Sequence, residues 1–285
     1  MKFEHSEVFN FEGALRGMRN PMASWHKGDS YTWADCDMDE KYYDEMIYNI
    51  GRDYFKEDIQ AIAKGEEIPY ELYEAVANKQ NYLIEQANLA TKWGKHAQVR
   101  NVIGPNDMDL ARRLIIAGGE HRKFLRQIFA SVDITAPLYW WKEFDTYKIG
   151  TTANSTSTMH KLASTPITLE CFEIDDFEDI VFHSEYGSHD NLIFECTTKG
   201  MAEGMIKALE ELRKKYNETK DKRYWKELIR WLPESWLQTR TVTMNYENLR
   251  NMYHQRENHK LTEWHSFCHW VESLPYAAEF ITDKI

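Results

Sequence analysis

Proline and glycine are scarce in this chain, 7 and 13 among 285 residues, while Trp, Tyr and Phe number 10, 16 and 13. So little proline and glycine with so many aromatics excludes a disordered polymer. Basic charge is short too: 35 Lys and Arg stand against 46 Asp and Glu, a net charge of −11. Non-specific nucleic-acid binding works by neutralising phosphates with Lys and Arg, so a nucleic-acid polymer is a poor partner. No run approaches the roughly 18 apolar residues of a membrane span. The opening MKFEHSEVFNFEG has no basic start leading into an apolar run, so no signal peptide is expected. Cysteine is limited to Cys36, Cys171, Cys196 and Cys268, without C-x-x-C spacing, as in a reduced, cytoplasmic protein. Walker, G-x-G-x-x-G, G-x-S-x-G and H-E-x-x-H motifs are all missing.

What is present reads as α+β, a mixed sheet with packed helices, in one domain over 1–285. Residues 7–25 read as a strand or hairpin running into the turn Arg19-Asn20-Pro21-Met22. Charged stretches 38–63 and 69–97 carry Tyr, Ile and Leu at helical spacing, so 35–105 reads as a helical insertion. Asn106 is placed to cap a helix over 107–117 that buries Leu110, Leu114 and Ile115, with Gly118-Gly119 ending it. Residues 127–136 alternate as a strand, and Pro137 opens an aromatic helix over 138–147. Segment 150–158 is small and polar. Strands are expected at 167–172, 192–196 and 236–243, and helices at 201–217, 219–231, 245–258 and 260–274.

Three groups of residues stand out. Asn245 and Arg256 are eleven apart, three turns along nearly one helix face, with Leu249 and Met252 beside them. An arginine on a buried face needs an anionic partner, while a surface arginine beside a capping asparagine is the plainer alternative. The run Thr151, Thr152, Asn154, Ser155, Thr156, Ser157, Thr158 offers neutral donors to a phosphate or heterocycle, or is an ordinary polar loop. His121, Arg122, Lys123 and Arg126 follow a glycine turn, a local basic patch that suits an anion or simply a solvated helix start. Asp35, Asp37 and Asp39 resemble a calcium loop, but Glu40 replaces its glycine and Met46 its bidentate glutamate. His265, Cys268 and His269 share a helix face, yet Trp264, Phe267 and Trp270 around them favour packing over metal ligation.

Read together, these segments resemble the flavin-dependent thymidylate synthase family. Leu232-Pro233, Thr239, Thr243-Met244-Asn245, Leu249, Asn251 and Arg256 follow that family's L-P … T … T-V-N-A-R-S-L-x-N … L-R pattern, with matching Pro–Asn and Asn–Arg spacings. Thr135-Ala136-Pro137 stands where the family has its C-P segment. Tyr147 to His160 stands at its R-H-R-x-x-S-x-N-E-x-S-x-R-Y signature, keeping Asn154 and Ser157. Gly118-Gly119-Glu120-His121 is similar to its G-H segment. Departures concentrate in the signature: Tyr147 and Ile149 replace two arginines, with Lys148 between them, and Ser155, Met159 and His160 replace Glu, Arg and Tyr.

The resemblance implies a homotetramer with active sites between subunits, binding FAD beside dUMP. NADPH and methylenetetrahydrofolate are its co-substrates, and a one-carbon group goes to C5 of the uracil. It assigns Lys148, Asn154, Asn245, Asn251 and His121 to the cofactor, and Ser155, Ser157, His160, Arg230 and Arg256 to the nucleotide. It implies no metal and no enzymic cysteine nucleophile. Two readings follow: a divergent FAD-dependent methyltransferase acting on a pyrimidine nucleotide, or an inactive nucleotide- or metabolite-binding protein on the same scaffold. The charge fits either. Residues 35–74 hold 13 acids and 4 bases, outside the resemblance, whereas 221–260 hold 8 bases and 5 acids. Tyr139, Trp140, Trp141, Trp264 and Trp270 are expected to contribute to subunit interfaces.

Overall fold

A computed structural model describes residues 1–34, 99–174, 178–186 and 192–283. The expected helices 38–63 and 69–97, and with them most of the insertion, lie outside the described residues. In chain order the elements are β1 (Lys2–Phe9), α1 (Phe11–Arg19), β2 (Tyr31–Ala34), β3 (Val99–Val102), α2 (Pro105–Ile116), β4 (Phe129–Pro137), α3 (Leu138–Phe144), β5 (Thr151–Ser155) and α4 (Thr158–Lys161). There follow β6 (Val181–Tyr186), β7 (Leu192–Thr197), α5 (Thr198–Thr219), α6 (Lys222–Trp231), β8 (Leu237–Asn245), α7 (Tyr246–Arg256), α8 (Thr262–Glu272) and α9 (Ala277–Phe280). The fold class is the expected α+β. The main sheet has the strand order β1-β4-β8-β5, and the pairs β2/β3 and β6/β7 are two-stranded and antiparallel. Side-chain pairs Thr135–Thr239 and Asp133–Thr241 keep a constant residue sum, so β4 and β8 also run antiparallel.

The chain divides into two compact units, Met1–Ser6 with Val132–Thr243, and Glu7–Ser131 with Met244–Ile285. In the first unit, Val132, Ile134 and Ala136 alternate inward along β4, and α3 buries Trp140, Trp141 and Phe144, with the Trp141 indole N–H donating to the Gln238 carbonyl of β8 at 3.0 Å. A second core gathers Leu162, Ile167, Phe172, Leu209 and Leu228, with Trp236 edge-on to Phe172 at 5.5 Å. Both tryptophans of α3 are fully buried, as is Trp264, and Trp270 is nearly so. These four are therefore core residues and leave no ring for a subunit interface; Tyr139 is half-buried.

Local chemistry explains where the elements depart from expectation. Phe11, Ala14, Leu15 and Met18 recur at helical spacing, so residues 11–19 form α1 rather than extending a strand. Asn10, at a left-handed φ of 69°, turns the chain from β1 into it. Helix α2 starts at Pro105, before Asn106, because its cap comes from far along the chain. Both carboxylate oxygens of Asp29 accept first-turn N–H groups, from Asn106 at 2.9 Å and Asp107 at 3.0 Å. Gly104 is required there, since a Cβ would lie 2.3 Å from Asp29. The buried face of α2 is Met108, Ala111 and Ile115, with Leu110 and Leu114 half-buried. The polar stretch after α3 contains strand β5, and residues 167–172 give a short 3₁₀ turn over Leu169–Cys171 with a single bridge from Phe172 to Trp236.

Helix α5 is tied to the segment before it through one ion pair. Arg213 donates to both oxygens of Glu210 at 2.7 Å, and Glu210 also accepts the Ile167 N–H at 2.9 Å. The guanidinium first, and the backbone N–H after it, hold this carboxyl at about 2. A carboxyl whose folded pKa is depressed stabilises the fold above its ordinary value and loses that contribution as pH falls towards 2. The shift from 4.5 sets an upper bound of about 3 kcal/mol. Glu210→Gln is therefore expected to flatten the fall in urea midpoint between about pH 4.5 and 2. Parallel acid limbs in the two proteins would show that this pair is not the cause.

Candidate functional site

Residues 237–256 form one continuous strand-helix element, β8 into α7, and the second unit holds its helical part. Asn245 ends the strand and caps the helix: its side-chain oxygen accepts the Asn248 N–H at 2.9 Å, and the residue is nearly buried. Leu249 and Met252 are fully buried on the helix face reasoned from the spacing. Arg256 ends the same helix, its guanidinium lying 4.6 Å from the centre of the Trp264 ring. Asn245 and Arg256 are thus fixed at opposite ends of one helix, roughly 16 Å apart at 1.5 Å per residue. Asn251 is exposed on the same helix, and His121 is exposed in the turn after α2.

The basic patch of this unit is already engaged. Arg122 donates to Glu247 at 2.9 Å in a mostly buried pair, Lys123 faces Glu120, and Arg126 reaches the Gly119 carbonyl. An arginine that the spacing did not single out, Arg250, is buried and donates to the carbonyls of Phe280, Ile281 and Asp283. Burial lowers its pKa, and its role is to anchor the chain's last described turn.

In the first unit, β5 is an edge strand that presents Asn154 and Ser155 to solvent. Ser157 caps α4: its oxygen accepts the His160 N–H at 3.2 Å and lies 2.8 Å from His160 Nδ1. Lys148 is exposed in the turn between α3 and β5, and Ile149 beside it is 89% exposed. Arg230, near the end of α6, pairs with Glu227. The feature that sequence reasoning missed here is Arg240. Its guanidinium stacks on Trp141 at 4.2 Å, donates from Nε to Gln238 at 2.9 Å and from Nη1 to Asp145 at 2.7 Å. Gln238 in turn donates to the Thr156 carbonyl and the Thr158 hydroxyl. This chain of contacts runs from the sheet through Gln238 to the start of the Ser157–His160 turn. The signal available was an arginine between two threonines in an alternating strand, facing an aromatic helix.

Among the described residues no three His, Cys, Asp or Glu side chains are placed to share a metal, and no helix is long and apolar enough to cross a membrane. Cys268 is buried, which pushes its thiol up to about 11, away from nucleophile chemistry.

The fold and these residue clusters define an α+β scaffold with polar and basic groups on one edge strand and one capped helix. No family model and no curated protein matches the chain. Solved structures do resemble it. A thymidylate synthase X of Helicobacter pylori with FAD and dUMP is 18% identical, with TM-score 0.45 over 63% of this chain and 83% of that one. The flavin-dependent thymidylate synthase of Helicobacter pylori, complexed with FAD and dUMP, is 18% identical, with TM-score 0.44 over 71% and 93%. A UMP/dUMP methylase of Streptomyces cacaoi bound with 5-Br dUMP is 14% identical, with TM-score 0.41 over 62% and 76%.

Proposed function

We propose that the chain is a divergent flavin-dependent thymidylate synthase, transferring a one-carbon group to C5 of dUMP or a related pyrimidine nucleotide. The observation that carries this reading is the β8–α7 unit. The residues at family spacing, Asn245, Leu249, Asn251 and Arg256, fall on one strand-helix element with its capping amide buried and its terminal arginine 4.6 Å from the centre of a tryptophan ring. The donor set suits oxygen-rich ligands. Lys148, Asn154, Asn245, Asn251 and His121 would hold FAD, which would supply hydride transfer at the flavin ring. Ser155, Ser157, His160, Arg230 and Arg256 would hold the nucleotide, the arginines supplying charge-assisted bonds to phosphate and ring oxygens. NADPH, methylenetetrahydrofolate, a homotetramer and a cytoplasmic setting belong to the same proposal.

A second reading, the same scaffold binding a nucleotide or metabolite without turnover, is favoured by one observation. Ile149 projects into solvent at a position where the resembled family carries an arginine, so a cation expected there is missing.

The purified protein is expected to carry the two-banded visible absorbance of oxidised flavin, or to acquire it on adding FAD, and to bleach on reduction. dUMP at 100-fold excess over Kd is expected to stabilise the fold by about 2.7 kcal/mol, and Arg256→Ala to remove most of that shift. A protein that stays colourless with added FAD yet is stabilised by dUMP would replace the first reading with the second. An unchanged shift in Arg256→Ala would overturn the assignment of the α7 terminus.

A further inference from the structure

We propose that a cavity in the second unit, lined by α1, Trp25 and β3, binds a flat aromatic molecule carrying a single carboxylate. The cavity measures about 450 Å³, ample for a two-ring acid. Its lining shares no residue with the flavin and nucleotide assignments above, and the inference does not rest on them.

Arg19 is the first reason. It is 5% exposed and lines the cavity. Its Nε donates to Asp107 Oδ1 at 2.6 Å and its Nη1 reaches the Ser24 carbonyl at 3.5 Å, whereas Nη2 is buried with no acceptor. A buried guanidinium nitrogen without an acceptor is an unfilled hydrogen-bonding position, and an oxygen of a ligand completes it. Asp107 cannot turn to fill it, because Oδ2 already accepts the Asp29 N–H at 3.1 Å and the Ser30 hydroxyl at 2.6 Å.

Trp25 is the second. Its indole N–H is committed to Asn20 Oδ1 at 2.8 Å, which fixes the ring, and 53% of the residue remains exposed. A fixed ring with an open face is a stacking platform. Leu15 and Val102, both nearly buried, continue the apolar wall.

Charge selects the head group. Asp107 and Glu12 line the same cavity as Arg19 and Arg16, and Glu12 sits 3.8 Å from Arg16 with both side chains largely exposed. Two carboxylates disfavour a phosphate dianion, while a planar monocarboxylate matches the guanidinium fork.

The test is calorimetric titration of the full chain with 2-naphthoate, 2-naphthamide and inorganic phosphate. Naphthoate is expected to bind saturably, one per chain, with the amide about fivefold weaker and phosphate silent. Trp25→Ala is expected to weaken naphthoate about tenfold while leaving the melting temperature and any flavin absorbance unchanged. Arg19→Met combined with Asp107→Asn removes the donor without stranding a buried charge, and is expected to abolish binding. Absence of naphthoate binding, phosphate binding in preference to naphthoate, or an unchanged affinity in both variants would each overturn the proposal.

Discussion

Replacing Trp141 by alanine is expected to destabilise the first unit by about 4 kcal/mol and to lower its melting temperature by roughly 10 °C. The side chain is fully buried, with edge-on contacts to Trp140 at 4.9 Å and Phe144 at 5.2 Å. Removing it leaves a cavity in a layer already built of large rings, which cannot collapse into the gap. Two further losses follow. The indole N–H donates to the Gln238 carbonyl at 3.0 Å, and that bond would be lost. The Arg240 guanidinium would lose the ring 4.2 Å beneath it. Trp141→Phe separates these effects: it keeps most of the volume and should lose only about 1–3 kcal/mol, the cost of the lost hydrogen bond. A double cycle with Arg240→Met should show coupling beyond additivity, since the two side chains are in contact. Thermal unfolding followed by near-ultraviolet circular dichroism is the measurement. A drop of only a degree or two in Trp141→Ala would mean that the α3 rings do not form this core.

How much of this was legible in the chain depends on how local the physics is. Strand β4 was legible because Val132, Ile134 and Ala136 alternate with polar residues over a long stretch. Helix α7 was legible because Leu249 and Met252 fall on one face and Asn245 is a strong capping residue. Helix α1 was misread because its apolar period, Phe11 to Met18, is only two turns long and ends at the Pro21 turn, so the turn dominated. The cap of α2 was assigned to Asn106 because the true cap, Asp29, lies 77 residues away in sequence. The tryptophans of α3 looked like interface material because composition records how many rings there are and not which way they face. Of the candidate site, the Asn245–Arg256 helix was readable from spacing, whereas Arg240 was not: its partners Trp141, Asp145 and Gln238 are brought to it only by the sheet.

Removing the carboxylate of Asp107 should do as much damage as removing a core ring, and for the opposite reason. Asp107 is 2% exposed and Arg19 is 5% exposed, joined at 2.6 Å. Taking two charges out of water is expensive, so the intact pair contributes little net stability. Breaking it is different, because one charge then remains buried without its counter-charge, which costs about 3–5 kcal/mol. Asp107→Ala also releases the Asp29 N–H and the Ser30 hydroxyl. Asp29 caps α2 and Ser30 accepts the Gly104 N–H at 3.2 Å, so the loss reaches the helix entry as well. Urea unfolding monitored by tryptophan fluorescence should show the full loss in Asp107→Ala. The paired change Arg19→Met with Asp107→Asn should recover at least half of it, because the charge is gone and the amide oxygen still accepts from Ser30 and Asp29. If the double variant is no more stable than Asp107→Ala, the stranded guanidinium is not the source of the loss, and an uncompensated buried charge does not explain it.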